Sequence, residues 1–172
     1  MKQLEIKNIV SKTESNYKEF LIMLRNYIIE LHKYDPINVP IMDLKQLELE
    51  YLDNDIDSYK VLIDNDKYIG FTIISRKKKY NQNIELFIEE FYIKPEFRRK
   101  GYGKSFMNEI LKKDINTVGF YILPKNENAK IFWNSIFNEW ISVKKIKDPN
   151  NLEYVNWYVY RKKNTKWKVC CK

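Results

Sequence analysis

Cysteine is nearly missing from this chain, and its two copies, Cys170 and Cys171, stand side by side near the C-terminus. Adjacent cysteines cannot staple distant segments and do not have the spacing of a metal site. Disulfide-framed and zinc-framed folds are thereby excluded, no metal is expected, and a reducing, cytoplasmic compartment is the natural reading. Glycine is almost as scarce, at four copies, and proline occurs five times. So few breakers argue against long flexible connections, and there is no Gly/Ser linker or internal repeat. No apolar run approaches the ~20 residues that a membrane-spanning helix needs. The opening segment, MKQLEIKNIVSKTESNYK, has no apolar stretch of the kind a secretory leader carries.

What is present is a body able to fold. The 172 residues suit one domain. At 44% hydrophobic and 15% aromatic, the chain can bury a ring-rich core. The net charge of +8 is unevenly placed. The last twelve residues, RKKNTKWKVCCK, hold six Lys or Arg and no acid, and the remainder carries 25 basic against 23 acidic residues. A near-neutral domain over 1–161 therefore precedes a basic tail over 162–172. The tail reads first as a solvated terminus. Its second reading is an electrostatic arm for RNA or another polyanion.

Periodicity places the elements. Residues 3–9 alternate as a strand, and Phe20, Leu21, Leu24, Tyr27, Ile28 and Leu31 form an apolar helical stripe within 15–33. A loop with Pro36 and Pro40 follows, then an acidic helix over 42–56. Strands are expected at 58–64 and 67–76, with Asp64, Asn65 and Asp66 as the hairpin turn, and a longer strand at 83–93. A helix over 102–113, a strand at 117–122, a helix over 126–136 and strands at 139–146 and 153–161 complete the chain. The order β-α-α-β-β-β-α-β-α-β-β predicts one α+β domain, a mixed, mostly antiparallel sheet flanked by helices.

The chemistry concentrates where the long strand meets a helix, in the segment Phe91-Tyr92-Ile93-Lys94-Pro95-Glu96-Phe97-Arg98-Arg99-Lys100-Gly101-Tyr102-Gly103-Lys104. Pro95 ends the strand. Gly101 and Gly103 allow a tight turn and a close approach of backbone to ligand. The helix that starts there aims its free N–H groups and dipole at the turn, and Arg98, Arg99, Lys100 and Lys104 add positive charge. The combination suits a phosphate or pyrophosphate. It is not a dinucleotide fingerprint, because the third glycine position is Phe106. It is not a Walker A loop, because Arg98 stands where the upstream glycine would be.

Arg98-x-x-Gly101-x-Gly103 after a strand resembles the acetyl-CoA signature of the GCN5-related N-acetyltransferases. Asn126-Glu127-Asn128-Ala129-Lys130-Ile131-Phe132-Trp133 is similar to that family's second segment, Asn-x-x-Ala followed by aromatic or apolar positions and a Tyr. The resemblance implies acetyl-CoA as acyl donor. The backbone of Phe91, Tyr92 and Ile93 would pair with the pantetheine arm, and N–H groups from Arg99 to Lys104 would hold the pyrophosphate. Asn126 would bond the cofactor chain beside Ala129, and Phe132 and Trp133 would line the thiol end. Asn126 reads equally well as a helix N-cap, and Phe132 reads better as a core ring.

Acetyl transfer needs a deprotonated amine, a stabilised oxyanion and an acceptable thiolate leaving group. Glu89 and Glu90 are the candidate catalytic carboxylates. Glu89 shares strand parity with Phe91 and Ile93 and is the expected base, a choice that a β-bulge would reverse. Glu85, on the same parity, is a weaker candidate, and the single histidine, His32, reads as a surface residue. The family commonly places a Tyr, thought to protonate the thiolate, where this chain has Trp133. An indole cannot do so, and Tyr121 or Tyr102 are the candidates to replace it. Phe137-Asn138 stands where the family usually has Gly-Phe. The acids at 43–57 would draw a cationic small-molecule or peptide amine, or are a solvated face. The expected activity is N-acetylation of a primary amine, with pairing of subunits through the final strands open. The alternatives are an acyl-CoA-binding module without turnover, or an acetyltransferase reaching an RNA-linked acceptor through the tail.

Overall fold

A computed structural model describes residues 4–9, 15–52, 58–75, 84–112, 115–143 and 156–163. Seven strands, β1 (Leu4–Ile9), β2 (Ser58–Asp64), β3 (Lys67–Ser75), β4 (Leu86–Ile93), β5 (Thr117–Ile122), β6 (Ile141–Val143) and β7 (Asn156–Arg161), form one sheet in the order β1-β2-β3-β4-β5-β7-β6. Every neighbouring pair is antiparallel except β4 and β5, which are parallel. Helices α1 (Ser15–His32), α2 (Leu44–Leu52), α3 (Tyr102–Leu111) and α4 (Glu127–Ile136) flank it. The expected mixed, mostly antiparallel α+β domain is the observed fold.

Strand alternation sends side chains to two cores. Val61, Ile63, Phe71, Ile73 and Tyr92 meet Phe20, Met23, Leu24 and Ile28 of α1 and Leu47 of α2. Leu62, Ile74, Leu86, Ile88 and Ile93 meet Phe106, Met107 and Ile110 of α3 and Trp133 of α4. Phe20, Phe71, Phe106 and Phe120 are almost fully buried. Truncating any of them to alanine would cost about 3–5 kcal/mol through lost transfer energy and the cavity left behind.

The boundaries follow local chemistry. The second helix starts at Leu44, not 42, because Asp43 caps it. Gln46 N donates to Asp43 Oδ1, and Asp43 N donates to Gln46 Oε1, both at 2.9 Å. That reciprocal pair is a capping box. The long strand begins at Leu86 rather than 83, and β6 begins at Ile141 rather than 139 because residues 137–140 form a turn closed by Trp140 N donating to Phe137 O, while residues 144–146 of that expected strand lie outside the described residues. The basic tail beyond residue 163 and the acids at 53–57 lie outside the described residues.

The hairpin between β2 and β3 turns on Asn65 (φ 48) and Asp66 (φ 62), both left-handed. Positive φ at both central residues is the two-residue turn whose twist matches the strands, and glycine suits its second position best. Asp66→Gly should therefore raise stability by about 0.5 kcal/mol or more. Urea unfolding with an unchanged m-value is the check, and a loss of stability would contradict the turn assignment.

Candidate active site

The parallel ladder between β4 and β5 has three rungs, Leu86–Val118, Phe87–Gly119 and Ile88–Phe120. Beyond it β4 runs on to Ile93 and β5 to Ile122 without pairing to each other. The strands diverge, and residues 89–93 have no strand partner on the β5 side, where the Ile93 carbonyl accepts from Arg98 Nε. The cleft at this divergence is lined by Glu89 and Phe91 of β4, Phe120 and Tyr121 of β5, Tyr27 and Leu31 of α1, and Asn126, Ala129 and Trp133 at α4.

At one end of the edge that β5 leaves lies the glycine turn. A short 3-10 turn, Pro95–Phe97, leads into Arg99 at φ 60 and Gly101 at φ 86. The first backbone bond of α3 is Ser105 N to Gly101 O at 3.0 Å, so the N–H groups of Tyr102, Gly103 and Lys104 precede it. Arg99, Lys100 and Lys104 are exposed around them. The expected tight turn is present, two left-handed residues leading into a helix N-terminus.

Side chains in this turn do other things. Arg98 is engaged within the fold: its NH1 and NH2 bond both oxygens of Glu30 on α1 at 2.8 and 2.6 Å, and its Nε donates to Ile93 O at 2.8 Å. The Tyr102 hydroxyl is buried on Asp64 at the β2–β3 hairpin, which removes Tyr102 as a candidate acid. Gly103 is small for a reason other than ligand approach. A Cβ there would sit 3.0 Å from Phe132 Cε2. The Phe132 ring is in turn stacked on Phe91 with centroids 5.2 Å apart. The Tyr92 and Ile93 side chains are buried on opposite faces of the sheet.

Asn126 performs the capping role, its Oδ1 accepting from Ala129 N at 3.0 Å, and it also lines the cleft. Trp133 is buried, stacks on Phe120 at 4.6 Å and lines the cleft, while Phe132 does not. His32 is half-buried on the α1–α2 connection, its Nδ1 2.8 Å from Val39 O.

A bulge is present in β4. Ile73 pairs with Glu90 and Ile74 with Ile88, which leaves Glu89 as the extra residue. Leu86 and Ile88 consequently share a core with Phe91 and Ile93, although their parities differ. The bulge breaks the argument that placed Glu85 with Glu89. Glu85 is exposed at the opposite end of the strand, accepting from Asn116 N at 2.7 Å. At the bulge itself, half-buried Glu89 lines the cleft with Phe91.

Glu90 is only 5% exposed. Tyr27 donates its hydroxyl to Oε2 at 2.5 Å and Tyr121 to Oε1 at 3.2 Å. Burial pushes the Glu90 carboxyl up to about 7, with the Glu89 charge adding and the two tyrosine bonds opposing. Burial and then the Glu90 charge hold both tyrosines well above 10. The sequence did not reveal this trio, because it joins residues 31 and 63 positions apart. Its only sequence signal was the doubled Glu on a strand otherwise fit for burial.

A family model described as "Acetyltransferase (GNAT) family" matches residues 25–137. The chain belongs to the GNAT acetyltransferase family. No curated protein matches the sequence. Among solved structures, a domain from Methanocaldococcus jannaschii superposes with a TM-score of 0.66 at 15% identity, covering 94% of this chain and 99% of that one. A Thermus thermophilus acetyltransferase gives 0.63 at 14%, covering 91% and 95%. A chimera of the spermidine N-acetyltransferase SpeG from Vibrio cholerae with hSSAT gives 0.60 at 15%, covering 92% and 95%. At these identities the structures establish the GNAT fold. Among the described residues no helix is long and apolar enough to cross a membrane, and no group of His, Cys, Asp or Glu could hold a metal.

The raised Glu90 has a consequence for stability. Between pH 4.5 and about 7 the folded protein keeps a proton that the unfolded chain has released. Stability therefore falls as pH rises through that window, by roughly 3 kcal/mol in all. Glu90→Gln removes this slope. The difference in unfolding free energy, wild type minus Glu90→Gln, should decrease between about pH 5 and pH 8, and a flat difference would show that Glu90 is not held protonated.

Proposed function

We propose that this GNAT protein transfers an acetyl group from acetyl-CoA to a primary amine, with Glu89 taking the proton from the acceptor. One observation carries the reading: the edge of β4 that β5 leaves runs from a basic glycine turn at a helix N-terminus to a cleft holding a carboxylate. An extended amide chain adds to such an edge as a strand would. A pyrophosphate suits the turn at residues 99–104, with the backbone of Phe91, Tyr92 and Ile93 along the arm and Asn126, Ala129 and Trp133 at the reactive end. Acetyl-CoA supplies an activated thioester when bound. Glu89 accepts the ammonium proton directly or through water, and the rings of Phe91, Phe120 and Trp133 keep bulk water from the reacting carbon.

The acceptor enters from the side of α1 and α2, where Tyr27 and Leu31 meet the cleft. The acidic wall is thinner than its composition suggests. Asp43 is occupied in capping α2, and Glu48 accepts the Tyr17 hydroxyl at 2.5 Å. A cationic small molecule or peptide remains the best-matched acceptor class, and the likeness to a structure containing a spermidine N-acetyltransferase makes spermidine a sensible first member of a panel. Retention of one carboxylate in the cleft, Glu89, with a second, Glu90, buried beside it favours turnover over a binding-only role.

The deciding experiment is acetyl-CoA turnover against a panel of amines, read as thiol release. With an active acceptor, Glu89→Gln should lower kcat by about 10²-fold, the usual scale for a general base. Acetyl-CoA affinity by calorimetry should stay within about twofold; a loss of binding in place of rate would move Glu89 from catalysis to donor binding. The turn is tested at Gly101, where added bulk meets no atom within 4 Å but φ is 86°. Gly101→Ala should fold yet weaken acetyl-CoA binding by about tenfold through left-handed strain. Gly103→Val is a poorer probe because it displaces Phe132.

A further inference from the structure

Trp133 stands where an acid for the departing thiolate would be useful, and an indole N–H cannot serve. We propose that Tyr121 protonates the thiolate and is re-protonated in the same event by Glu90, which lies behind it, out of the cleft. The inference rests on the acetyl-transfer reading above and adds to it the path of the second proton.

Tyr121 lines the cleft beside Phe91 and Trp133, and its hydroxyl reaches Glu90 Oε1 at 3.2 Å. Glu90 itself does not line the cleft, and its two carboxyl oxygens are held by the Tyr27 and Tyr121 hydroxyls. Tyr27, from α1, fixes the second oxygen, and Thr72 Oγ1 on β3 donates to the Glu90 backbone carbonyl at 2.9 Å. The titratable groups around the carboxyl are Tyr27 on α1, Tyr121 on β5 and Glu89 on its own strand, with Tyr51 on α2 acting on both tyrosines. Among the described residues no Lys, Arg or His pairs with it.

Chemistry favours the pair over either member. A tyrosine held well above 10 gives up its proton uphill to a thiolate whose own value is about 8.5. Coupled to a carboxylic acid near 7, the transfer runs downhill. With Glu90 protonated the 3.2 Å contact reverses, Glu90 Oε1–H donating to Tyr121 Oη, which frees the tyrosine proton for the sulfur. As Tyr121 Oη–H breaks and the S–H bond forms, the Glu90 O–H breaks and Tyr121 Oη–H re-forms. Tyr121 ends unchanged, Glu90 ends as carboxylate, and the thiol leaves neutral. An acceptor that arrives as ammonium gives up two protons: the first passes through Glu89 to solvent before attack, and the second goes to Glu89 as the N–C bond forms and the C–S bond breaks. That second proton returns to Glu90 by way of solvent, so the enzyme is reset without an added reactant. Tyr121 is then the group that touches the leaving sulfur, and Glu90 acts through it.

The test uses the full chain, Glu90→Gln and Tyr121→Phe, with acetyl-CoA and an active amine from the panel. Each variant should lower kcat by about tenfold at pH 6.5 while the KM for acetyl-CoA stays within about twofold. The ratio of wild-type to Glu90→Gln kcat cancels the titration of the acceptor. It should fall toward one as pH rises through about 7, because only protonated Glu90 can donate. A ratio that is constant with pH means a merely structural role and overturns the relay while leaving acetyl transfer intact. Independently, the infrared carboxyl band lost in Glu90→Gln, followed in the ligand-free proteins, should titrate near neutrality. A Glu90 that is ionised across about pH 5–8 also overturns the relay. If that band titrates as expected but wild type acetylates no amine, the acetyl-transfer reading fails, and the relay falls with it for want of a thiolate.

Discussion

Three rungs of parallel ladder decide the architecture of the site. Had β4 and β5 stayed paired past Ile88 and Phe120, the sheet would be continuous and the backbone of residues 89–93 would be consumed by hydrogen bonds within the protein. The strands part, and rings fill the wedge. Phe120 stacks on Trp133, Trp133 meets Phe91 edge-on, and Phe91 stacks on Phe132. Each ring contact contributes about 0.5–1.5 kcal/mol beyond area burial. The divergence is therefore a packed state with a defined shape. A ligand strand completes the sheet edge without having to open it.

The bulge at Glu89 carries a second constraint. It lets one strand present a carboxylate to the cleft and place the next one beneath a helix. Burying Glu90 opposes ionisation, and the two tyrosine hydroxyls offset only part of that penalty. A hydrophobic residue in its place would pack with less conflict, as buried ionisable groups generally show. The site keeps an unfavourable group where stability alone would not, which is the usual signature of chemistry.

The sequence made most of the framework readable, and the reason is local. Helix stripes, the Asp64-Asn65-Asp66 turn and the strand–glycine turn–helix junction are each written within a dozen residues. Legibility failed where the cause lies across elements. Parity along β4 could not show the bulge, because its register is set against β3. Gly103 looked like a ligand-contact glycine, and its neighbour turned out to be Phe132, nearly thirty positions away. Arg98 looked like a ligand cation and proved to be held by Glu30 of α1. Tyr102 looked available and is spent on Asp64. In each case the residue type was right for the site and the partner was invisible.

The Arg98–Glu30 pair has a kinetic consequence. With that guanidinium neutralised inside the fold, attraction at a distance is left to Arg99, Lys100 and Lys104, all exposed. Exposed charges steer an anion over about a Debye length, near 10 Å at 0.1 M salt. Backbone N–H groups grip it only on contact. For the donor proposed above, arrival and retention would then fall to different atoms: ionic strength would govern how fast it reaches the turn and hardly touch how long it stays.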